Sequence, residues 1–322
     1  MMLPIWAVPL LAALLVGGAA QAKDFTSSDI FPADYPTVLA VAHMDKLVRQ
    51  RTGGKHSISV LGQDDRDSEN YTIGQVRNGT LDMARINLAV LNNIVPSTAI
   101  LSLPYLFKST THMRSVLDGP IGDDILADME SRGIIGLCFY DTGARSYTAK
   151  KPIRNVADMK GLKVRIQQSD ISATLIRAMA AVPTPVPNDR IYVALQKGVV
   201  DVVENTLPSY STSRHNEVAK FYSLTEHSMA PSVLVFSKQV WDGLSTDDQA
   251  IIRAAAKESV AHLRQHWQEY ETLSRMGSMA SGAQIVTDVD KQSFIKVLRP
   301  LYSTLVTQPR LQNIVKRIQA AD

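Results

Sequence analysis

Two periodicities of apolar residues alternate along the chain. In GLKVRIQQSD, residues 161–170, apolar and polar positions alternate from Leu162 to Gln167, which is the period-2 pattern of a half-buried strand. The next segment, ISATLIRAMA, has apolar residues at helical spacing, and Ser169 or Asp170 can cap that helix. The same succession of strand and helix recurs in most of the sequence. It predicts an α/β fold with parallel or mixed sheets covered by helices.

The succession starts twice, which predicts two lobes. The first series begins with DFTSSDI and ends with GIIGLCFYD, and the second runs from SYTAK through LKVRIQ to VVDVVEN, with the proline-rich AVPTPVP inside it. A proline-free stretch from Thr246 to about Met279 predicts one long helix across both lobes. The predicted boundaries are a signal peptide at 1–22, lobe I at 23–146 plus about 228–245, lobe II at 147–227 plus about 280–322, and the bridging helix at 246–279.

The first 22 residues form a compositionally distinct segment. They carry no charge, contain an apolar run of signal-peptide length and end in Ala20-Gln21-Ala22. We interpret them as a signal peptide cleaved after Ala22, with an uncleaved anchor as the alternative. Cys138 is the only cysteine, so an exported chain would have no intrachain disulfide, and its apolar context, IIGLCFY, predicts a buried small hydrophobe.

The net charge and its distribution argue against nucleic acid as a partner but are compatible with a small anionic ligand. Charged residues make up 20% of the chain, and its net charge of +3 is spread rather than massed. A nucleic-acid-binding protein would show a dense basic face, so nucleic acid is not an expected partner. An anionic small molecule remains compatible with this charge, and two α/β lobes predict a cleft in which it could bind.

Two arginines follow strand-like segments and are candidates for binding an anion. Arg165 can offer the planar fork of donors that binds a carboxylate bidentately, near the predicted helix start at Ser169. Its alternative interpretation is a surface arginine on an edge strand. Arg145, in YDTGARSYTAK, could converge on the same cleft or form an interdomain salt bridge, and Glu204 could pair with either arginine.

Other polar residues give weaker signals. Asn205 follows an apolar strand and could contact a ligand or serve only as a turn residue. His262 and His266 are four residues apart on the predicted long helix, but their charged flanks favour a solvated helix face over a metal site. No catalytic, phosphate-binding or redox motif is present, and we predict neither a metal nor a cofactor.

Taken in order, several of these stretches resemble the solute-binding proteins of the tripartite ATP-independent periplasmic (TRAP) transporters. The resemblance covers essentially all of the sequence after residue 22. The stretches that carry it are VRQRTGG, SENYTIGQVRNGTLDMARINLAVLNN, LPYLF, HMRSVLDGPIGDDIL, GLCFYDTGARSYTAKKPI, DMKGLKVRIQQSD, PTPVP, IYVALQKGVVDVVEN, EVAKFYSLTEHS and SKQVWDGLS.

The resemblance implies a periplasmic, monomeric receptor with the two-lobed periplasmic-binding-protein fold and no enzyme activity. Its ligand would be a sugar acid or other organic acid, and its partners would be the small and large permease subunits in the membrane. Matched to the family's motifs, Arg165 would contact the ligand carboxylate bidentately, and Arg145 and Asn205 would be further ligand-binding residues.

Some stretches look closest to the members that bind uronates such as D-glucuronate or D-galacturonate. In that subgroup Glu69, Asn87 and Gln167 would reach sugar hydroxyls, with Asp170 and His215 as further neighbours. The chain departs from the subgroup at four positions, of which we take the first and last as changes on the ligand side: Phe31, Arg190, Val202 and Leu207. These departures leave a smaller aldonate as an alternative ligand, and an exported sugar-acid hydrolase or lyase, or a sensor subunit, as alternative functions.

Overall fold

The structure is a computed structural model of the chain and describes residues 22–62 and 69–321. The predicted signal peptide, up to residue 21, lies outside these residues. In the part of the chain that the structure describes, no helix is both long enough and apolar enough to cross a membrane.

The strands form two sheets, one in each lobe. In chain order they are β1 Lys23–Asp29, β2 His56–Gly62, β3 Met83–Asn87, β4 Ile134–Tyr140, β5 Arg145–Ala149, β6 Lys163–Ile166, β7 Val182–Pro185, β8 Val202–Asn205, β9 Phe221–Ser228, β10 Ser232–Ser237 and β11 Gln284–Val286. Sheet A has the order β2-β1-β3-β10-β4, and sheet B has the order β11-β9-β5-β8-β6-β7.

Both sheets are mixed, as the sequence predicts. In sheet A, β1 pairs in parallel with β2 and β3, whereas β10 runs antiparallel between β3 and β4. In sheet B, β5 runs antiparallel to β8 and β9, and β6 lies in parallel between β8 and β7. The chain therefore returns to sheet A through β10 after it has built most of sheet B.

The proline-rich segment AVPTPVP contains a strand that the sequence analysis did not predict. β7 pairs in parallel with β6 and forms the edge of sheet B. Proline has no N–H to give to a neighbouring strand, so an edge is the position where a sheet tolerates it.

The helices pack against the two sheets. They are α1 Pro36–Arg51, α2 Glu69–Asn78, α3 Leu88–Leu91, α4 Thr110–Leu117, α5 Pro120–Asp128, α6 Asp170–Ala178, α7 Ile191–Gln196, α8 Leu207–Thr212, α9 His215–Val218, α10 Lys238–Trp241, α11 Thr246–Ala280, α12 Lys291–Leu298, α13 Tyr302–Leu305 and α14 Pro309–Ala320. Short 3-10 helices cover 96–102, 130–132, 156–159, 188–190 and 299–301.

The long helix is α11, with 35 residues, and its prediction from the sequence is confirmed. Ser245 caps it by accepting a hydrogen bond from the backbone N–H of Asp248. The helix packs on α1 and β4 of the first lobe and on α8, which directly follows β8 of the second. It therefore contacts both lobes.

The core of the first lobe lies on both faces of sheet A. Along β10, Val233 and Val235 join one apolar cluster, while Leu234 and Phe236 join the other. A sheet that is covered on both faces needs a continuous apolar run such as SVLVFS rather than an alternating one. Cys138 is buried in the second cluster, where burial raises the pKa of its thiol to about 12, so the predicted role as a small buried hydrophobe is confirmed.

Candidate functional site

A polar cavity lies between the two sheets, where several strands end. It encloses roughly 380 Å³ of space, part of which is open to solvent. The residues that line it from the first lobe are Phe31, Tyr35, Asn87 and Ser232. The rest of its wall is formed by Thr142, Arg145, Arg165, Gln167, Asn188, Asn205, Thr206 and Ser209. Five of the eight residues predicted from the sequence as ligand-binding therefore lie together around one cavity: Arg165, Arg145, Asn205, Asn87 and Gln167.

Arg165 brings a buried cation to this cavity without an anionic partner. It lies on β6, inside sheet B, and is 4% exposed, so the alternative of a surface arginine on an edge strand is wrong. Its Nε donates to the carbonyl of Val186 over 2.9 Å. Among residues 22–62 and 69–321, no carboxylate lies within salt-bridge distance of Arg165. Burial lowers the pKa of its guanidinium to about 10, partly offset by the negative charge of Glu204, while the positive charge of Arg145 lowers it further.

Arg145 is held in place by Glu204. Its Nε donates to Oε2 of Glu204 over 2.7 Å, and its Nη2 donates to the Glu204 carbonyl over 3.2 Å. The two residues lie on the neighbouring antiparallel strands β5 and β8 of one sheet, so the alternative of an interdomain salt bridge is wrong. Burial raises the pKa of the Glu204 carboxyl, but Arg145 and His227 together lower it well below its usual value. The pair therefore remains ionised at neutral pH, and of the two arginines Arg165 is the one with no carboxylate partner in the part of the chain that the structure describes.

Asn205 makes a turn contact and also lines the cavity, so both alternatives from the sequence apply to it. Its Oδ1 accepts a hydrogen bond from the backbone N–H of Thr206 over 3.0 Å, which is a turn contact. The amide nitrogen remains as a donor in a side chain that lines the cavity. Two guanidinium groups and one amide nitrogen therefore offer hydrogen-bond donors from the second lobe.

Glu69 lies behind the cavity wall rather than in it. Its Oε1 accepts from Arg85 Nη1 over 3.1 Å and from the backbone N–H of Asn87 over 2.9 Å. Its Oε2 accepts from Asn87 Nδ2 over 2.8 Å and from Gln167 Nε2 over 3.2 Å. Both carboxylate oxygens are thus engaged, and the expectation that Glu69 itself reaches sugar hydroxyls is not what this geometry shows, because Asn87 and Gln167 stand in front of it.

Two further predicted residues do not line the cavity. Asp170 is exposed at the first position of α6. His215 begins α9 and is 1% exposed, and its Nδ1 is buried with no hydrogen-bond partner among the described residues. Burial, and secondarily the positive charge of Arg165, lower the pKa of His215 to about 4, so the imidazole is neutral at pH 7.

The histidine pair of the long helix lies apart from the cavity. His262 contacts His266, and its ring stacks on that of His43 with a centroid distance of 4.4 Å. Within the described ranges, no group of three or more His, Cys, Asp or Glu residues is arranged to hold a metal ion.

Comparison with known proteins decides the family. Residues 27–308 match the family described as bacterial extracellular solute-binding protein, family 7. The chain belongs to this family. Its resemblance to the TRAP solute-binding proteins, inferred from the sequence, is thereby confirmed.

Solved structures of similar proteins share both the fold and a large part of the sequence. A TRAP periplasmic solute-binding protein from Bradyrhizobium sp. BTAi1, in complex with α/β-D-galacturonate, is 51% identical, with 92% of this chain and 99% of that chain covered and a TM-score of 0.91. One from Xanthobacter autotrophicus Py2 with bound β-D-galacturonate is 46% identical, with coverage of 92% and 100% and a TM-score of 0.90. One from Chromohalobacter salexigens DSM 3043 with bound D-glucuronate is 34% identical, with coverage of 92% and 100% and a TM-score of 0.89. The two-lobed fold is therefore confirmed.

The four residues at which the chain departs from the uronate subgroup have different surroundings in this family 7 protein. Phe31 lines the cavity and stacks on Tyr35, with ring centroids 3.8 Å apart. Leu207 instead packs among apolar residues beside Tyr210 and Tyr222, so the expectation that it changes the ligand side is wrong for this structure. Val202 is buried within sheet B, and the side chain of Arg190 is 77% exposed.

Several residues of the cavity were missed by the sequence analysis. Tyr35 and Ser209 line it from opposite lobes and share a hydrogen bond of 3.1 Å between Oη and Oγ. Thr142 and Asn188 also contribute to its wall. A usable signal existed for Tyr35, because IFPADYP directly follows the strand DFTSSDI and strand exits line such clefts. Thr142 carries the same signal, because it directly follows the strand GIIGLCFYD, whereas Ser209 and Asn188 carry no local pattern.

Proposed function

We propose that this protein is a periplasmic receptor of a TRAP transporter. It binds a hexuronate, D-galacturonate or D-glucuronate, through the ligand's carboxylate and delivers it to the small and large permease subunits in the membrane. The observation that carries the proposal is Arg165, a buried guanidinium in the interlobe cavity with no carboxylate partner among the described residues. A ligand carboxylate would supply the missing charge.

The three related structures described above support the choice of ligand. The two that are 51% and 46% identical to this chain hold galacturonate, and the third holds glucuronate. Their likeness extends over 92% of this chain. The description of the family as extracellular supports export, which we assign to the predicted signal peptide cleaved after Ala22.

The energetics favour a ligand with hydroxyl groups. One charge-assisted contact contributes about 1.5–3 kcal/mol net, whereas micromolar affinity requires about 8 kcal/mol. Asn87, Gln167, Asn188 and Asn205 provide amide groups for further contacts around the cavity. A polyhydroxylated acid can use these groups and a short unsubstituted acid cannot.

Binding would close the two lobes on the ligand. We propose the lobe boundaries given by the sequence, with 23–146 and about 228–245 in the first lobe and 147–227 and about 280–322 in the second, except at two places. The second lobe starts with β5 at Arg145, which pairs within sheet B, and α14 packs its apolar face into the core of the first lobe. Residues from both sides line the cavity, so closure would remove the arginine and the carboxylate from water and strengthen their attraction. The unit that closes is a monomer.

A thermal-shift screen of the mature chain against sugar acids, organic acids, neutral sugars and amino acids tests the proposal. A ligand at 100 times its dissociation constant adds about 2.7 kcal/mol to stability, so a uronate should raise the melting temperature clearly. A shift with neutral sugars or amino acids alone would overturn the carboxylate model. Recovery of the unchanged uronate after incubation separates a receptor from a hydrolase or lyase, and permease genes beside this one separate it from a sensor.

A further inference from the structure

Glu69 fixes the orientation of the side-chain amide groups of Asn87 and Gln167. Oε2 of Glu69 lies 2.8 Å from Asn87 Nδ2 and 3.2 Å from Gln167 Nε2. Glu69 is 5% exposed and forms a buried ion pair with Arg85, whose other partner is Asp29. An ionised carboxylate can only accept hydrogen bonds, so both amides must direct their N–H₂ groups toward it.

The side chains of Asn87 and Gln167 therefore present their amide oxygens to the cavity. Asn87 Oδ1 accepts one weak contact, from Ser232 Oγ over 3.4 Å, and a carbonyl oxygen has a second lone pair. Gln167 Oε1 has no hydrogen-bond partner among the described residues, and both side chains line the cavity. This side of the cavity presents acceptors, backed by the negative charge of Glu69.

Three other residues of the cavity present donors. Arg145 and Arg165 can only donate, and Asn205 uses its oxygen on the backbone of Thr206. The cavity thus has two groups of residues, a donor pole formed by Arg145, Arg165 and Asn205 and an acceptor pole formed by Asn87 and Gln167, set by which atom of each amide is already engaged. A ligand that satisfies both must have an anionic group at one end and hydroxyl hydrogens at the other.

We propose that Glu69 is a positioning residue that makes the site selective for acids with one carboxylate and against acids with two. A second carboxylate at the acceptor pole would meet two amide oxygens, to which it can give no hydrogen, with the charge of Glu69 behind them. A hydroxyl at the same place donates to those oxygens. The inference rests on the proposed function and adds to it the exclusion of aldarates.

Gln167 makes this selectivity dependent on closure. It follows β6 in the second lobe, whereas Glu69 begins α2, which packs on β3 and β10 of the first lobe. The hydrogen bond between them joins the two lobes, so the Gln167 amide is oriented only when the lobes are together. The acceptor pole is then complete when the ligand is enclosed.

The test is calorimetric titration of the mature protein with D-galacturonate, D-galactonate and galactarate. The last two are both linear and differ only in whether the terminal group is a hydroxymethyl or a second carboxylate. We expect galactonate to bind at least about tenfold more tightly than galactarate, because the dicarboxylate leaves acceptors unsatisfied. Galactarate binding as tightly as galactonate would overturn the inference while galacturonate binding upheld the proposed function. Failure of all three acids to bind would instead overturn the proposed function.

Variants then separate positioning from a structural role. In Glu69→Gln the side chain acquires an N–H₂ group, so one facing amide must turn and expose its own N–H₂ to the cavity. The preference for galactonate over galactarate should fall at least about fivefold. A structural role would weaken both acids equally and leave their ratio unchanged, which would overturn the inference.

A second variant avoids the buried ion pair. Gln167→Met removes one cavity-facing acceptor and leaves the contacts of Glu69 with Arg85 and Asn87 in place. The same loss of preference is expected there. Gln168→Met, at the exposed neighbouring position, is the matched control and should keep the wild-type ratio. An unchanged ratio in Gln167→Met would overturn the inference independently of how Glu69→Gln folds.

Discussion

Nε of Arg145 lies 2.7 Å from Oε2 of Glu204, in an ion pair between neighbouring strands of one sheet. Glu204 is paired in register with Tyr147, so Arg145, two residues earlier on the same face of β5, is its diagonal neighbour. One carboxylate therefore lies near two guanidiniums, that of the partly buried Arg145 and that of the buried Arg165. The charge left over belongs to Arg165, which makes that residue the natural contact for an incoming anion.

Replacing Arg165 by Met should abolish tight uronate binding without unfolding the protein. The loss of about 1.5–3 kcal/mol corresponds to roughly a 10- to 150-fold rise in Kd, measured by calorimetry. The melting temperature of the free protein should not fall, because the variant removes a buried cation that has no carboxylate partner within 22–62 and 69–321. Arg177→Met, on the exposed face of α6, is the control and should bind normally. Wild-type affinity in Arg165→Met would move the site elsewhere.

Replacing Glu204 by Gln should destabilise the free protein and increase the stabilisation that a bound uronate provides. The free protein then holds two like charges close together in a mostly buried site, and Arg145 loses its carboxylate partner, so the folded state is destabilised. Its melting temperature should fall, while the shift produced by a saturating uronate should grow, since the ligand now neutralises more charge. Melting curves with and without ligand check both. An unchanged melting temperature of the free variant would show that the pair contributes nothing.

Protonation of His215 should make the protein less stable in mild acid. Its pKa is lowered from 6.5 to about 4 in the folded state, so between these pH values the unfolded chain binds a proton that the folded chain does not. Stability from this group is complete above pH 6.5 and falls as pH is lowered toward 4, by roughly 3 kcal/mol in total.

Urea unfolding at pH values across that interval measures the effect. His215→Gln should flatten the dependence, whereas His266→Gln, at a half-exposed position, should retain it. If the His215 variant lost stability with pH as steeply as the wild type, the buried neutral imidazole would not be its source.

The hydrogen bond between Tyr35 and Ser209 should favour the closed form. It joins Ser209 on α8 in the second lobe to Tyr35, the residue just before α1 in the first lobe, over 3.1 Å. Tyr35→Phe and Ser209→Ala should each weaken uronate binding about fivefold, in line with about 1 kcal/mol for a neutral hydrogen bond. In a double-mutant cycle the second substitution should add little to the first. Fully additive losses would show that the two groups do not act together.

The fold was largely predictable because its elements are locally encoded. The strand of Arg165, the helix capped by Ser169 and the proline-free α11 each carry their pattern within a few turns of sequence. Four strands were not predicted, namely β7, β9, β10 and β11, and in two of them the pattern conflicts with a local rule. β7 contains two prolines, and β10 is apolar at consecutive positions because both faces of sheet A are covered.

The site was predictable only in part, for a different reason. Arg165, Arg145 and Asn205 lie at or near strand ends, which is a positional signal in the sequence. Glu69 supports the cavity wall instead of lining the cavity, because its carboxylate accepts hydrogen bonds from Asn87 in one lobe and Gln167 in the other. No pattern along the chain predicts these contacts. Leu207 likewise packs beside Tyr222 of β9 instead of lining the cavity.

The most direct test of the central claim is a calorimetric titration of the mature protein with D-galacturonate and, in parallel, with D-galactose. The two sugars share a ring and differ at carbon six, where one has the carboxylate and the other a hydroxymethyl group. We expect galacturonate to bind with at least micromolar affinity and galactose to give no measurable heat, because only the acid can pair with Arg165. Galactose binding as tightly as galacturonate would contradict the account.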